Sequence, residues 1–545
     1  MAGLPRIRAT DRLEVHQKKP PMTSRRFVWF IALSVGLLGF SGLRSPEVPV
    51  SAPRYNVLFI MVDDLRPQLG CYGDPVIKTP NIDRLANSSM VFNRAYCQMA
   101  LCSPSRTSLL TGLRPETTRI FDLVTHFRQH VPDAVTLPQL YRQQGGYSLA
   151  FYKIFHLIPT DPRAFGNMDD TLSWSRPLWL PTKSVYGPKG DSVREGKLAE
   201  LRRSGQAMNY ATIPRGFALE APDLPDDALA DGETAREAVM AMARLKDQSN
   251  RPFFMAVGFY KPHLPFIAPK KYWSLYDSTD IQPPSNRYLP KDAPAYALQR
   301  YAELTNYEDF KNQPRNESPA LAEQRKLVHG YMACVSYIDA QVGLLLDGLD
   351  RLKLRDNTIV VLLGDHGYQV GEHAMWATKH TNYETSTRTP LIVSVPDPGR
   401  STVPRRDVPA EPHVRPGHTN ALVELVDIYP SIAELCGLAV PRSLPGKSFV
   451  PLLKNPDLPW KKAALSQYPV TIPGHGPGMG RSLRTHRYHF IEWRESATNF
   501  TEYELYDHTT DPDENTNLAV RPAYRPMVQR LAKELQAEWK KGHRR

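Results

Sequence analysis

Three apolar runs in this chain end abruptly on charge. "YNVLFIMV" (55–62) stops at Asp63 and Asp64, and "NTIVVLLGDHG" (357–367) breaks at Asp365 and His366. "YSLAFYKIFH" (147–156) carries Lys153 within its end and His156 just beyond it. Runs this short, rich in β-branched residues and without polar alternation, are strands buried on both faces. Helical spacing separates them, as in "TAREAVMAMARLKD" and the long "RKLVHGYMACVSYIDAQVGLLLDGLDRL". Such alternation predicts an α/β fold, with a large, mostly parallel sheet flanked by helices. "PFFMAVGF" and "RTPLIVSVP" supply further strands. From Gly446 onward the segments shorten and a terminal helix is expected near Tyr524–Lys541, giving a smaller C-terminal α+β subdomain. The expected organisation is an extension and signal peptide over 1–45, a catalytic domain over 53–445 and the subdomain over 446–545.

Net charge is +12 over 545 residues, which by itself suggests a polyanion partner. Its distribution argues against nucleic acid. Residues 1–44 carry +6 and the tail "WKKGHRR" +4, leaving the body near neutral at +2. Arg25 and Arg26 precede an apolar stretch, Phe27–Leu43, with small residues at Gly39, Ser41 and Gly42. That pattern predicts a secretory signal and an exported protein, periplasmic or secreted. The stretch sits at the lower limit of a membrane span, so an N-terminal anchor is the alternative. Five scattered cysteines make neither a disulfide framework nor a zinc cluster. A Cys71–Cys97 bridge stays open, and Cys334 falls in a helical core pattern.

In an open parallel sheet the carboxyl ends of strands form the ligand crevice, so residues distant in sequence meet there. Asp63, Asp64 and Asp365 brought together repel unless a cation neutralises them. With His366 they make an oxygen-rich set that favours Ca²⁺ or Mg²⁺ over zinc. In "LCSPSRTSLLTG", Cys102 enters a helix whose first N–H groups and positive dipole end point near its side chain. Arg106 follows four positions later with a permanent cation. A lone cysteine is usually a small buried hydrophobe. Here its surroundings suit an anion, or a nucleophile that attacks one.

"CSPSRTSLLTG" matches the signature of the sulfatase family, Cys-x-Pro-Ser-Arg followed by Thr-Gly. "DDLRPQLGCYGD", "TPNIDRLA", "KIFH", "GFYKPHLPF", "GDHGYQVGEH", "TRTPLIV", "SQYP" and "ELYDHTTDPDENTNLA" resemble, in order, its iduronate-2-sulfatase branch. The resemblance runs from about Tyr55 to the end. It implies an alkaline-phosphatase-like sandwich, one Ca²⁺ held by Asp63, Asp64, Asp365, His366 and residue 102, and conversion of Cys102 to formylglycine by a formylglycine-generating or anaerobic sulfatase-maturing enzyme. Arg106 would hold the hydrated aldehyde and His156 would be the base for intermediate breakdown. Lys153, His263 and Lys379 would bind sulfate, with His263 or Lys379 protonating the leaving oxygen. The chain departs from the family in three places. "LTGR" reads "LTGL" with Arg114 next, Tyr368 stands where a Trp is often found, and "WATKHTN" is one residue longer before its lysine.

The leading expectation is hydrolysis of sulfate esters on a sulfated glycan, above all the 2-O-sulfate of iduronate or a related uronic acid. A phosphoester or phosphonate hydrolase on the same fold is the second reading, and a noncatalytic glycan-binding homologue the third. A uronate carboxylate needs a cation besides those on sulfate, and "SLRTHRYHF" offers Arg484 for that contact. The sequence leaves the oligomeric state open.

Overall fold

The computed structural model describes residues 52–156, 169–206, 212–249, 251–298, 303–397, 415–441 and 444–543. The signal peptide and anchor alternatives lie outside the described residues.

Asn56–Val62 is the central strand of a seven-stranded sheet, with Thr358–Gly364 on one side and Phe253–Phe259 on the other, both parallel to it. Tyr147–Tyr152 continues the parallel run beyond Phe253–Phe259. On the opposite flank Leu391–Ser394 runs antiparallel to Thr358–Gly364 and to Met90–Phe92, and Gly417–Thr419 closes the order. The sheet is therefore mixed, and "PLIV" is its reversed strand. An apolar run does not encode direction, so its pattern could not reveal this.

Side-chain alternation divides the central strand between two cores. Leu58, Ile60 and Val62 pack in one, with the helices Ala230–Gln248 and Leu321–Arg351. Val57, Phe59 and Met61 pack in the other, with the helices Leu137–Gln143 and Ile428–Leu435. All seven residues of Asn56–Val62 and of Thr358–Gly364 are buried, as strands covered by helices on both faces must be.

Register then places the site. Val62 pairs with both Gly364 and Phe259, so Asp63 and Asp365 leave the sheet side by side. Tyr152 pairs with Gly258, which brings Lys153 to the same edge. Gly258 is required there, since a Cβ on it would lie 2.0 Å from the Lys153 carbonyl oxygen. The C-terminal subdomain is a four-stranded antiparallel sheet, Ala463–Ile472, Gly476–Thr485, Tyr488–Glu495 and Phe500–Asp507, with the helix Arg525–His543 over one face. Its strands of eight to ten residues are longer than the sequence suggested. All five cysteines are free thiols, so Cys71 and Cys97 form no bridge, and Cys334 is fully buried in the core.

Candidate active site

The chain turns sharply after the central strand. Asp64 adopts the left-handed backbone region, φ 61°, and both aspartates fold into the interior with no exposed surface. The turn is held from outside, since the Tyr331 hydroxyl donates to the Asp64 carbonyl at 2.9 Å. The Asp64 N–H donates to Asp365 Oδ1 at 3.2 Å, tying the two strand exits together.

Cys102 is the first residue of the helix Cys102–Thr111, which Gly112 ends in the left-handed conformation at φ 69°. Every residue of this helix is buried. Its sequence is mostly polar, so helix propensity and an apolar stripe do not explain its place; contacts to the strand exits do. Ser105 Oγ donates to the Asp365 carbonyl. Arg106, with no exposed surface, donates from Nε to Asp365 Oδ2 at 2.7 Å and from Nη2 to Asp63 Oδ1 at 3.3 Å. Its Nη1 reaches the carbonyls of Lys153 and Ile154. One guanidinium thus joins three strand ends in fixed geometry, a task the planar fork suits and a lysine would not.

Two ammonium groups complete the cluster. Lys153 Nζ pairs with Asp63 Oδ2 and lies 4.9 Å from the Tyr260 ring centre. Lys379 Nζ donates to Asp64 Oδ1 at 2.7 Å. Burial alone would raise Asp63, but Lys153 and Arg106 hold its carboxyl well below the usual range. Burial raises Asp64 well above that range, with Lys379 opposing and Asp63 and Asp365 adding. Burial also opposes charge on Lys379, yet Asp64 beside it keeps the ammonium protonated well beyond its ordinary range.

The histidines are neutral for a common reason. Burial brings His366 down to about 4, and its Nε2 lies 3.4 Å from the Cys102 sulfur. Burial, then the charge of Lys153, takes His156 well below its ordinary value, and neither ring nitrogen has a hydrogen-bond partner among the described residues. His263 is lowered by burial and then by Lys379. Its Nδ1 bonds the Leu264 carbonyl at 2.7 Å, which sets the proton on Nδ1 and leaves Nε2 free, 3.8 Å from Asp64 Oδ2. Burial pushes the Cys102 thiol well above its ordinary value and Asp63 pushes it further. A thiol so disfavoured as thiolate makes a poor nucleophile as it stands.

Asp63, Asp64, Cys102 and His366 each offer a ligand atom within 4.8 Å of the others, and Asp64 Oδ2 has no hydrogen-bond partner. The two carboxylates suit a hard divalent cation, while the Cys102 sulfur and the His366 nitrogen are softer donors. Asp365 stands at the margin, with Oδ2 engaged by Arg106 and 3.5 Å from His366 Nε2.

Ten of the eleven residues named from the sequence therefore meet at one edge of the sheet. Arg484 does not. It is buried, donates from Nε to Glu384 Oε2 at 2.8 Å and from Nη2 to His508 Nδ1 at 2.8 Å, and contacts none of the ten. A strand facing a neighbouring element reads like an exposed one when the neighbour is remote in sequence. Arg114, in the altered "LTGL" segment, is likewise structural, donating to Glu424 at 2.8 Å. Sequence reasoning missed Tyr331 and Glu303, whose Oε1 lies 4.0 Å from His263 Nε2. Neither sits in a distinctive motif. Ser105 was legible, since it lies inside the signature.

A family model for sulfatases matches residues 55–438, and one for the C-terminal region of N-sulphoglucosamine sulphohydrolase matches 371–541. Iduronate 2-sulfatase of Mus musculus is 35% identical over 519 residues, covering 85% of this chain and 90% of the relative. The Homo sapiens enzyme of that name is 33% identical over 555 residues, covering 92% and 97%. Among solved structures, a phosphonate monoester hydrolase from Silicibacter pomeroyi superposes with a TM-score of 0.66 at 21% identity, covering 90% and 96%. That likeness carries the fold.

Proposed function

The chain belongs to the sulfatase family, and from that membership we propose that it removes the 2-O-sulfate from iduronate, or a related uronic acid, at the end of a sulfated glycan. Sulfate-ester hydrolysis follows from the family; the sugar and the chemistry at residue 102 are our reading. The observation that carries it is the meeting of Cys102 with two strand-end carboxylates, His366 and three cations in one buried crevice. A singly charged sulfate ester entering such a place meets fixed donors and little competing water.

Asp63, Asp64, Asp365 and His366, with residue 102, would hold one Ca²⁺, which when bound draws charge from a sulfate oxygen and lowers the pKa of the nucleophile. Oxidised to formylglycine by a maturing enzyme and hydrated, residue 102 would offer one hydroxyl to attack sulfur and a second to expel sulfate afterwards. Arg106, bonded to Asp63 and Asp365, would hold the hydrated side chain of residue 102. His156, neutral and with both ring nitrogens unpartnered among the described residues, would take the proton of the second hydroxyl. Lys153 and Lys379 neutralise the sulfate oxygens. His263 is the better acid for the leaving sugar oxygen, because an arriving anion raises its pKa whereas Asp64 holds Lys379 charged. The apolar stretch behind Arg25 and Arg26 supports export to the periplasm or medium, where sulfated polysaccharides are met.

Mass spectrometry of the tryptic peptide Ala95–Arg106, alongside turnover on a panel of defined sulfated oligosaccharides, tests this. An aldehyde at residue 102 and preference for terminal 2-O-sulfated iduronate are expected. A fully thiol peptide in fully active protein, or faster turnover of a phosphonate monoester, would replace it with another reading.

A further inference from the structure

Arg484 and His486 of "SLRTHRYHF" do not reach the sulfate crevice, but they line something else. A groove of about 810 Å³ opens between the loop after the central strand and the C-terminal sheet. Its charged lining is Arg94, Arg388 and Arg484 against Glu384, the only acid among the described lining residues, with the imidazoles of His418, His486 and His508 beside them. Glu384 is already matched by Arg484. Arg388 also acts on Glu384 from farther off, so three guanidiniums share one carboxylate and the groove keeps a net positive lining.

Neither Arg94 nor Arg388 is ion-paired with a carboxylate among the described residues. Arg388 spends its Nε on the Asn93 carbonyl at 2.8 Å. Arg94 spends Nη1 on the carbonyl and Nδ1 of His486, at 3.0 and 3.2 Å. Both side chains are half-buried and held at one end, with further N–H donors left over. Two guanidiniums oriented in this way lose little entropy on gripping a planar or tetrahedral oxyanion. Asn93 and Asn420, bonded to one another at 3.0 Å, bring amide groups suited to hydroxyls. The volume falls within the range of small-ligand sites.

We propose that this groove is a second, noncatalytic site for a sulfated or carboxylated sugar unit, so that the enzyme holds a polyanionic chain at two places while cutting at one. This rests on the glycan reading above, which supplies a polymer with more than one charged unit. None of the catalytic residues lines the groove.

The test is Arg94→Ala with Arg388→Ala in the full chain, measured in two ways. Binding of a fluorescently labelled heparin hexasaccharide, followed by anisotropy, should weaken about tenfold, with a shallower salt dependence. KM for a sulfated hexasaccharide should rise by a similar factor while kcat, and all constants for a small aryl sulfate, stay unchanged. Arg94→Lys with Arg388→Lys should restore part of the binding, which a merely structural role would not require. Unchanged hexasaccharide binding overturns the proposal. So does an effect confined to inorganic sulfate, which would make the groove a site for free anions only, or equal weakening for a short oligodeoxynucleotide, which would make it indiscriminate. Arginine-dependent binding without hydrolysis of any sulfated sugar would leave the groove standing and overturn the catalytic reading instead.

Discussion

Two buried clusters in this protein are built from the same parts and do different things. At the strand ends, Asp63, Asp64 and Asp365 face Arg106, Lys153 and Lys379, with neutral histidines around them. Where the C-terminal sheet meets the segment after Lys379, Glu384 and Glu514 face Arg484, with His489 and His508 between. Both could be read as metal sites from residue types alone, and both hold ligand atoms within 4.8 Å of each other. The difference lies in what is left unsatisfied. In the second cluster Glu514 takes His489, His508 and the Glu384 N–H, while Glu384 takes Arg484 and the Tyr96 hydroxyl. In the first cluster Asp64 Oδ2 and both nitrogens of His156 have no hydrogen-bond partner among the described residues. Buried polar atoms left unmade cost about 1–3 kcal/mol each, so they persist where a ligand satisfies them. In the second cluster only His489 Nε2 is left without a partner among the described residues, and every carboxylate is engaged, so it cements the subdomain; the first is the more open.

Mutation should separate the two without overlap. Cys102→Ala removes the proposed nucleophile, and turnover should fall at least about 10⁴-fold with the unfolding midpoint little changed. Retained activity would mean that chemistry runs elsewhere. Asp63→Asn should lower bound calcium, read by atomic emission, together with turnover, by roughly 10²-fold or more. It also strips Lys153 and Arg106 of a buried countercharge, so some stability should go with it. Normal calcium and normal rate in this variant would dismantle the proposed ligand set.

Glu514→Ala should show the opposite profile. Three donors lose their acceptor inside the protein, and denaturant unfolding should register a loss of ~3–5 kcal/mol. The folded fraction should turn over substrate within a few-fold of the parent. A large kcat defect in a stable Glu514→Ala protein would mean that the two clusters are coupled, and the comparison would fail.

The open cluster was far more legible in the sequence than the closed one, for a physical reason. Asp63, Asp365 and Lys153 are the residues at which apolar strands stop, so the break in hydrophobicity marks them, and parallel register brings them together. Cys102 and Arg106 share one helical turn and could be paired by spacing. The closed cluster joins Tyr96, Glu384, Arg484, His489, His508 and Glu514, whose meeting depends on how the C-terminal sheet docks. No local pattern encodes docking, and Arg484 was accordingly assigned to a carboxylate of the substrate when its partner is Glu384. The strand Leu391–Ser394 was legible but its reversed direction was not, for a similar cause, since pairing direction is a property of two segments.

The smallest effect concerns the acid limb of stability. Burial opposes charge on Glu384, but Arg484 outweighs it, with His508 adding, and the carboxyl is held down to about 2 against an ordinary value of 4.5. A carboxyl with a depressed folded-state pKa binds fewer protons folded than unfolded. Its contribution is complete above about 4.5 and is lost as pH falls toward 2. That difference corresponds to ~3 kcal/mol at most, and less where other acids protonate together with it. Unfolding free energy measured between pH 5 and pH 3 should therefore decline less steeply in Glu384→Gln than in the parent, from a lower starting level. Turnover at neutral pH should be the same in both once folded. Identical slopes would mean that Arg484 stabilises its neighbours chiefly by packing and not as the charge partner of Glu384.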